Sequence, residues 1–384
     1  MLLERLYNIG YKNGRENNAY IIGTQVGLEE LRNSSVYLLG AGENGFLALK
    51  LLEKEGILVQ GFLDNNTNII GNYCGEKKIY YAPDYIKSEQ DIYIIICVDE
   101  KNIGGARLQL LVGGIDNYSI FFRHNCHSFY FENKNLFNAI MNGINYICFY
   151  DEKQKDALPF CGYSLGKDQS ILGNVNWLLN STEWSHPSYI YIYDYLSKNQ
   201  DARILEIGPG LGLMSYVFAN LFPKTNIDWI LLRDEESKKT SRYEKGAAKV
   251  CTKYASRITA KYGMIEIDES IIDTDKYDLI IMTEVFEHFA LYPVVTMRNL
   301  RKGLKENGKM VLSTPNWGHL TTYSSWRQLP KNSEVSKERY LELLQCGHVY
   351  QYSKEEMVDI FRESGWNIEK YDVSESNNHN FLLN

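Results

Sequence analysis

The residues of this chain whose types and spacing could do chemistry fall into three groups. In the first, Glu206 closes the apolar run Arg203-Ile204-Leu205-Glu206-Ile207. Gly208, Gly210 and Gly212 then alternate, and the apolar stretch Leu213 to Phe218 starts at once. Glycine reaches φ > 0 freely and puts no Cβ in the way of a ligand. A helix that opens at such a turn adds unpaired N–H groups. Strand, turn and helix in that order would bring bare backbone against a nucleotide-like molecule.

The second group is Glu284, Glu287 and His288, with His348 later in the chain. On a helix starting after Met282, the i, i+3, i+4 spacing would put the first three on one face. Two carboxylates with two imidazoles suit Mg²⁺, Mn²⁺ or Zn²⁺. The alternative is that the acids only shape a pocket and His288 or His348 works alone as a general base, since imidazole titrates near neutrality. His319 is a third candidate for that role. The last group is Gly40-Ala41-Gly42-Glu43-Asn44-Gly45, which follows the apolar Ser35 to Leu39 and precedes Asp64 by about 20 residues. That is the setting of a dinucleotide fingerprint; the alternative is a tight strand-to-helix turn that binds nothing.

The E-x-G-x-G-x-G pattern of Glu206 to Gly212 resembles motif I of the class I S-adenosylmethionine (SAM)-dependent methyltransferases. Three further blocks agree in order. Tyr277 to Phe289 is similar to that family's fourth strand and the segment after it. Leu300 to Asn316 is similar to the following helix, glycine turn and fifth strand. Gly347-His348-Val349 with Tyr352-Ser353-Lys354-Glu355-Glu356 resembles a late segment of the ubiquinone-type O-methyltransferase branch. The likeness covers roughly residues 186 to 374. It implies that Glu206, Gly208, Gly210 and Gly212 hold the amino-acid part of SAM. Asp234, or Glu235 beside it, would then accept hydrogen bonds from the ribose hydroxyls after the strand Ile227 to Leu232. Glu284, Glu287, His288 and His348 together resemble the metal site of small-RNA 2′-O-methyltransferases, where a metal lowers the pKa of the attacking hydroxyl. Residues 30–125, with Gly61-Phe62-Leu63-Asp64-Asn65-Asn66, resemble the small Rossmann domains of bacterial sugar-modifying enzymes. That likeness implies a nucleotide or nucleotide-sugar site at Gly40, Gly42, Gly45 and Asp64.

Elements must position these groups. The fold expected is α/β, two doubly wound Rossmann-like domains, the C-terminal one a class I methyltransferase fold. Residues 1–125 would form the N-terminal domain, 126–185 a linker or insert, and 186–384 the methyltransferase. Residues 1–34 read as one or two short helices. Phe129 to Phe131 and Ile144 to Tyr150 read as short strands, and Asp151 to Asp156 and Gly162 to Gly173 as loops. Ser353 with Glu356 forms a capping box, with Gly365 ending the helix. Trp317, Tyr323 and Trp326 sit where the family often places an acceptor pocket, as stacking or as plain packing.

Composition narrows the class. The 48 acidic residues outnumber the 41 basic ones, giving a formal charge of −7, so nucleic acid is not the expected main partner. Seven cysteines, odd in number and without a C-x-x-C pair, read as reduced thiols of a cytoplasmic protein. No secretory signal and no membrane span are expected. His124 and His127 around Cys126 read as a surface loop, because no partner pair lies nearby. The expected function is SAM-dependent O-methylation of a sugar or nucleotide-sugar in surface-polysaccharide synthesis. The alternatives are a methyltransferase on another small molecule or an RNA end, and a non-catalytic binding protein with a degenerate SAM fold.

Overall fold

Hydrophobic patterning sorts the chain into two open sheets. A computed structural model describes residues 3–12, 15–23, 31–88, 91–99, 102–115, 117–126, 133–149, 171–231, 242–316, 323, 325–344, 348–374 and 376–384. The chain divides into two compact units, residues 1–128 with 140–179, and residues 129–139 with 180–384.

The first unit runs β1 (Leu3–Lys12), β2 (Arg15–Gly23), β3 (Val36–Leu39), α1 (Glu43–Lys54), β4 (Val59–Asp64), β5 (Tyr73–Cys74), β6 (Lys77–Tyr81), α2 (Ala82–Ser88), β7 (Tyr93–Ile96), α3 (Ile103–Val112) and β8 (Tyr118–Cys126). Its eight strands lie in the order β1-β2-β8-β7-β3-β4-β6-β5. β6, β4, β3, β7 and β8 pair in parallel, and Ile94, Ile95 and Ile96 of β7 are fully buried, as strands covered on both faces require. Helices were expected over residues 1–34, but β1 and β2 form an antiparallel hairpin that adds to β8. Lys12 pairs with Arg15 at the end of that ladder, and edge pairing overrode the weak helical pattern.

Helices α4 (Lys134–Phe149) and α5 (Ile171–Trp184) come next in sequence. α4 contains most of the segment Ile144 to Tyr150 that was expected as a strand. Its β-branched and aromatic residues suggested that state, yet Leu136, Ile140, Ile144 and Ile147 recur at helical spacing and are buried at 0–1% exposure. The longer period decides the element. The expected strand Phe129 to Phe131 and the loop Asp151 to Asp156 lie outside the described residues; the end of the second expected loop falls in α5.

The second unit continues with α6 (His186–Lys198), β9 (Arg203–Ile207), α7 (Leu213–Leu221), β10 (Asn226–Leu231), α8 (Arg242–Lys253), β11 (Ile258–Tyr262), β12 (Tyr277–Thr283), α9 (Pro293–Gly303), β13 (Leu304–Pro315), α10 (Lys337–Leu344), α11 (Lys354–Ser364), β14 (Ile368–Val373) and β15 (Asn378–Leu383). The order is β11-β10-β9-β12-β13-β15-β14. Five strands are parallel, and β15 runs antiparallel between β13 and β14. This is the doubly wound class I arrangement expected for the C-terminal domain. Ser353 and Glu356 make the expected capping box on α11, and Gly365 ends it in the left-handed region.

Candidate functional site

Strand order reverses between β9 and β12, and a crevice opens at the carboxyl ends of strands where that happens. Both candidate groups of the second unit lie there. Gly208, Gly210 and Gly212 all have positive φ (+63°, +55° and +80°), which a side-chain-bearing residue adopts at a cost. Gly212 opens α7 from the left-handed region. A Cβ on Gly208 would stand 2.6 Å from Cγ2 of Val285, so this turn needs bare backbone for space as well as for φ.

Glu206 is 3% exposed. Trp229 Nε1–H donates to its Oε2 at 3.0 Å and to Ser215 Oγ at 2.7 Å, and the Ser215 hydroxyl also donates to Oε2. Burial pushes the carboxyl up to about 7 against the opposing effect of these two donors.

The second cluster is built on a different backbone from the one expected. No α-helix starts after Met282. Glu284 follows β12 with φ +55°, and a single 3₁₀ turn spans Phe286–His288. With Glu284 in the left-handed region and only one 3₁₀ turn after it, α-helical spacing does not govern which side chains meet. Glu287, His288 and His348 converge, with one ligand atom from each lying within 4.8 Å of the others. Nε2 of His288 and Nε2 of His348 stand 3.8 and 3.9 Å from Glu287 Oε1, and the two rings meet edge to face at 4.9 Å. His348 is held there through backbone, since the Val349 and Tyr350 N–H groups both donate to the Glu287 carbonyl, at 2.8 and 3.2 Å.

Glu284 stands apart from that group of three. Ser313 Oγ and Asn378 Nδ2 donate to its carboxylate at 2.8 and 2.9 Å, while Thr314 Oγ1 donates to Glu287 at 3.0 Å. Burial raises both acids above the ordinary carboxylate range, and for Glu284 the charge of Glu287 adds to the rise. Burial and the neighbouring His288 lower His348, which keeps it neutral and able to take a proton at pH 7. Among the described residues no lysine or arginine pairs with Glu206, Glu284 or Glu287.

In the first unit Gly40 has φ +111°, and a Cβ on Gly45 would stand 2.0 Å from the Gly40 carbonyl oxygen. Gly42 has open space. Asp64 reaches this turn, where its Oδ2 accepts Ala41 N–H and its Oδ1 accepts Asn66 N–H, each at 2.8 Å. Both oxygens are therefore engaged by backbone. Asp234, Glu235, His127, Trp317 and His319 lie outside the described residues, and His124 is on β8. Tyr323 is partly buried. Trp326 is 2% exposed and stacks on Tyr292 at 5.3 Å, which is packing.

Several residues escaped sequence reasoning. Trp229, Ser313 and Asn378 come from strands that pair only in the folded sheet. Glu266 accepts Ala290 N–H (3.1 Å), Leu291 N–H (2.9 Å) and the Tyr340 hydroxyl (2.8 Å), tying the turn after His288 to α10. Ser215, three positions past Gly212, was within reach as an early-helix hydroxyl beside motif I.

The class defined is the SAM-dependent methyltransferase fold, with both candidate groups at its switch point. Residues 184–371 match the family described as "Methyltransferase domain", so the C-terminal part of the chain carries a methyltransferase domain, and the expectation of an enzyme stands on that match. No curated protein matches the chain in sequence. Among solved structures, a SAM-dependent methyltransferase from Aquifex aeolicus is 12% identical over 53% of this chain and 92% of that one, with TM-score 0.37. A putative sarcosine dimethylglycine methyltransferase from Galdieria sulphuraria is 19% identical over 60% and 76%, with TM-score 0.36. An O-methyltransferase family 2 protein from Planctomyces limnophilus, in complex with apigenin, is 16% identical over 47% and 49%, with TM-score 0.33. The chain thus spans about half the length of the last protein. At scores this low the likenesses decide nothing about activity.

Proposed function

We propose that the C-terminal unit transfers the methyl group of SAM to a hydroxyl of a sugar or nucleotide-sugar, as a cytoplasmic step of surface-polysaccharide synthesis. The observation that carries the transfer is the meeting, at one strand crossing, of the acid-and-glycine turn with the His288–His348 pair. The turn holds a cationic donor against Glu206. On the acceptor side the O–CH₃ bond forms as the S–CH₃ bond breaks, and the hydroxyl proton passes to a ring nitrogen of His348 or His288. The sugar rests on analogy with the N-terminal Rossmann-like unit, whose glycine turn would bind a nucleotide or nucleotide-sugar. Asp64 supports the turn in this reading, and Asp234 or Glu235 remains the proposed ribose ligand.

One buried carboxylate and two imidazoles within reach of one another also fit a divalent cation such as Mg²⁺, Mn²⁺ or Zn²⁺. Glu287, His288 and His348 would hold it, with Glu284 as the fourth proposed ligand. Bound there, a dication would lower the pKa of the acceptor hydroxyl. The deciding experiment is mass spectrometry of products from SAM and a panel of nucleotide-sugars, with and without chelator. A mass gain of one methyl on a nucleotide-sugar is expected; methylation of none of them, with SAM bound, would turn attention to another small molecule or an RNA end.

A further inference from the structure

Trp229 and Ser215 take no part in the motif to which Glu206 belongs, yet both converge on it. Trp229 sits opposite Glu206 in the parallel ladder of β10 and β9 and is 1% exposed. Ser215 lies in the first turn of α7. The indole N–H and the serine hydroxyl both go to Oε2, and no described residue donates to Oε1. The far edge of the same indole supports the glycine turn, since a Cβ on Gly212 would stand 3.2 Å from Trp229 Cη2. One side chain therefore fixes both the acid and the bend that would hold the ligand's amino-acid part.

We infer that Trp229 and Ser215 are positioning residues for SAM, pinning Oε2 of Glu206 so that Oε1 is left to receive the cofactor's ammonium group. The inference rests on the proposed SAM site. A buried carboxylate free to rotate would lose its donors whenever it turned toward the ligand, and an unsatisfied buried acceptor is costly. Two donors on one oxygen remove that conflict and favour the ionised acid that an ammonium group needs. Among the described residues, the titratable group that also acts on Glu206 is Tyr189 of α6, whose phenol burial keeps neutral.

Calorimetry on the full chain with three ligands tests this. SAM and S-adenosylhomocysteine carry the ammonium group, and 5′-methylthioadenosine lacks the amino-acid part altogether. Trp229→Phe, which keeps an aromatic ring but removes the donor and the far edge of the indole, is expected to weaken the first two at least roughly tenfold, the usual scale for one hydrogen bond to a charged group. Binding of 5′-methylthioadenosine should stay at the wild-type level. Equal weakening of all three ligands, or of none, would overturn the inference. Ser215→Ala makes the same test with a smaller change should Trp229→Phe not fold. Wild-type protein that binds none of the three would instead sink the SAM site itself.

Discussion

Val285 Cγ2 occupies the space where Gly208 would carry a Cβ, 2.6 Å away. The contact joins the turn that follows β9 to the turn that follows β12, where Glu284, the residue before Val285, takes a left-handed backbone (φ +55°). The turn after β9 and the turn after β12 are thus packed on each other through one methyl group.

Gly208→Ala should accordingly fail twice, on space and on its φ of +63°. Overpacking of this kind costs about 1–3 kcal/mol, and the loss should appear in thermal melting together with weakened SAM binding. Adding Val285→Ala should restore part of the stability and not all of it, because the backbone strain remains. Full restoration by the double mutant would show that φ does not matter here.

Glu206 and Glu266 should make the ligand-free protein less stable as pH rises. Burial lifts each to about 7 in the folded protein, above the ordinary carboxylate value of about 4.3 in the unfolded chain. The folded state therefore binds more protons over that window, and the stability it has below pH 4 is progressively lost up to about pH 7. Melting temperature should fall between pH 5 and 7.5 and recover with SAM. Glu206→Gln should flatten the slope; an unchanged slope would remove Glu206 as its source.

His348→Ala and His288→Ala probe proton removal separately from cofactor binding. Loss of a general base typically costs 10²–10⁴ in rate. The histidine that serves should lower kcat on that scale while SAM affinity, measured by calorimetry, stays within a few-fold. If each variant retains more than half of the rate, imidazole is not the base.

Removal of metal gives an independent reading of the same residues. With a dication at Glu287, His288 and His348, chelator should abolish turnover and Mn²⁺ or Zn²⁺ should raise the melting temperature by mass action. His348→Ala should erase that rise. Turnover insensitive to chelator would leave the histidines as bases alone.

Asp64→Ala tests the first unit. Two backbone N–H groups lose their acceptor, a change worth about 1–3 kcal/mol when the donors stay unpaired. Limited proteolysis should then cut residues 40–66 sooner than in the wild type. Resistance equal to the wild type would mean that Asp64 does not hold the glycine turn.

Local pattern alone carried much of this protein. The order strand, glycine turn, helix around Gly208 to Gly212, the parallel core strands and the Ser353–Glu356 cap follow from backbone preferences and apolar periodicity, which act over a few residues. Alternation and helical spacing competed over Ile144 to Tyr150, where the helical period of Leu136 to Ile147 prevailed, and at residues 1–34, where pairing of β2 with β8 decided the outcome. The site divides in the same way. Glu206, Glu287, His288 and His348 were recognisable by type and spacing. That Glu287 meets both imidazoles, that Glu284 turns to Ser313 and Asn378, and that Trp229 braces Glu206 depended on which strands lie side by side. Register between strands distant in sequence is set by packing of the whole sheet, which no short stretch of residues encodes.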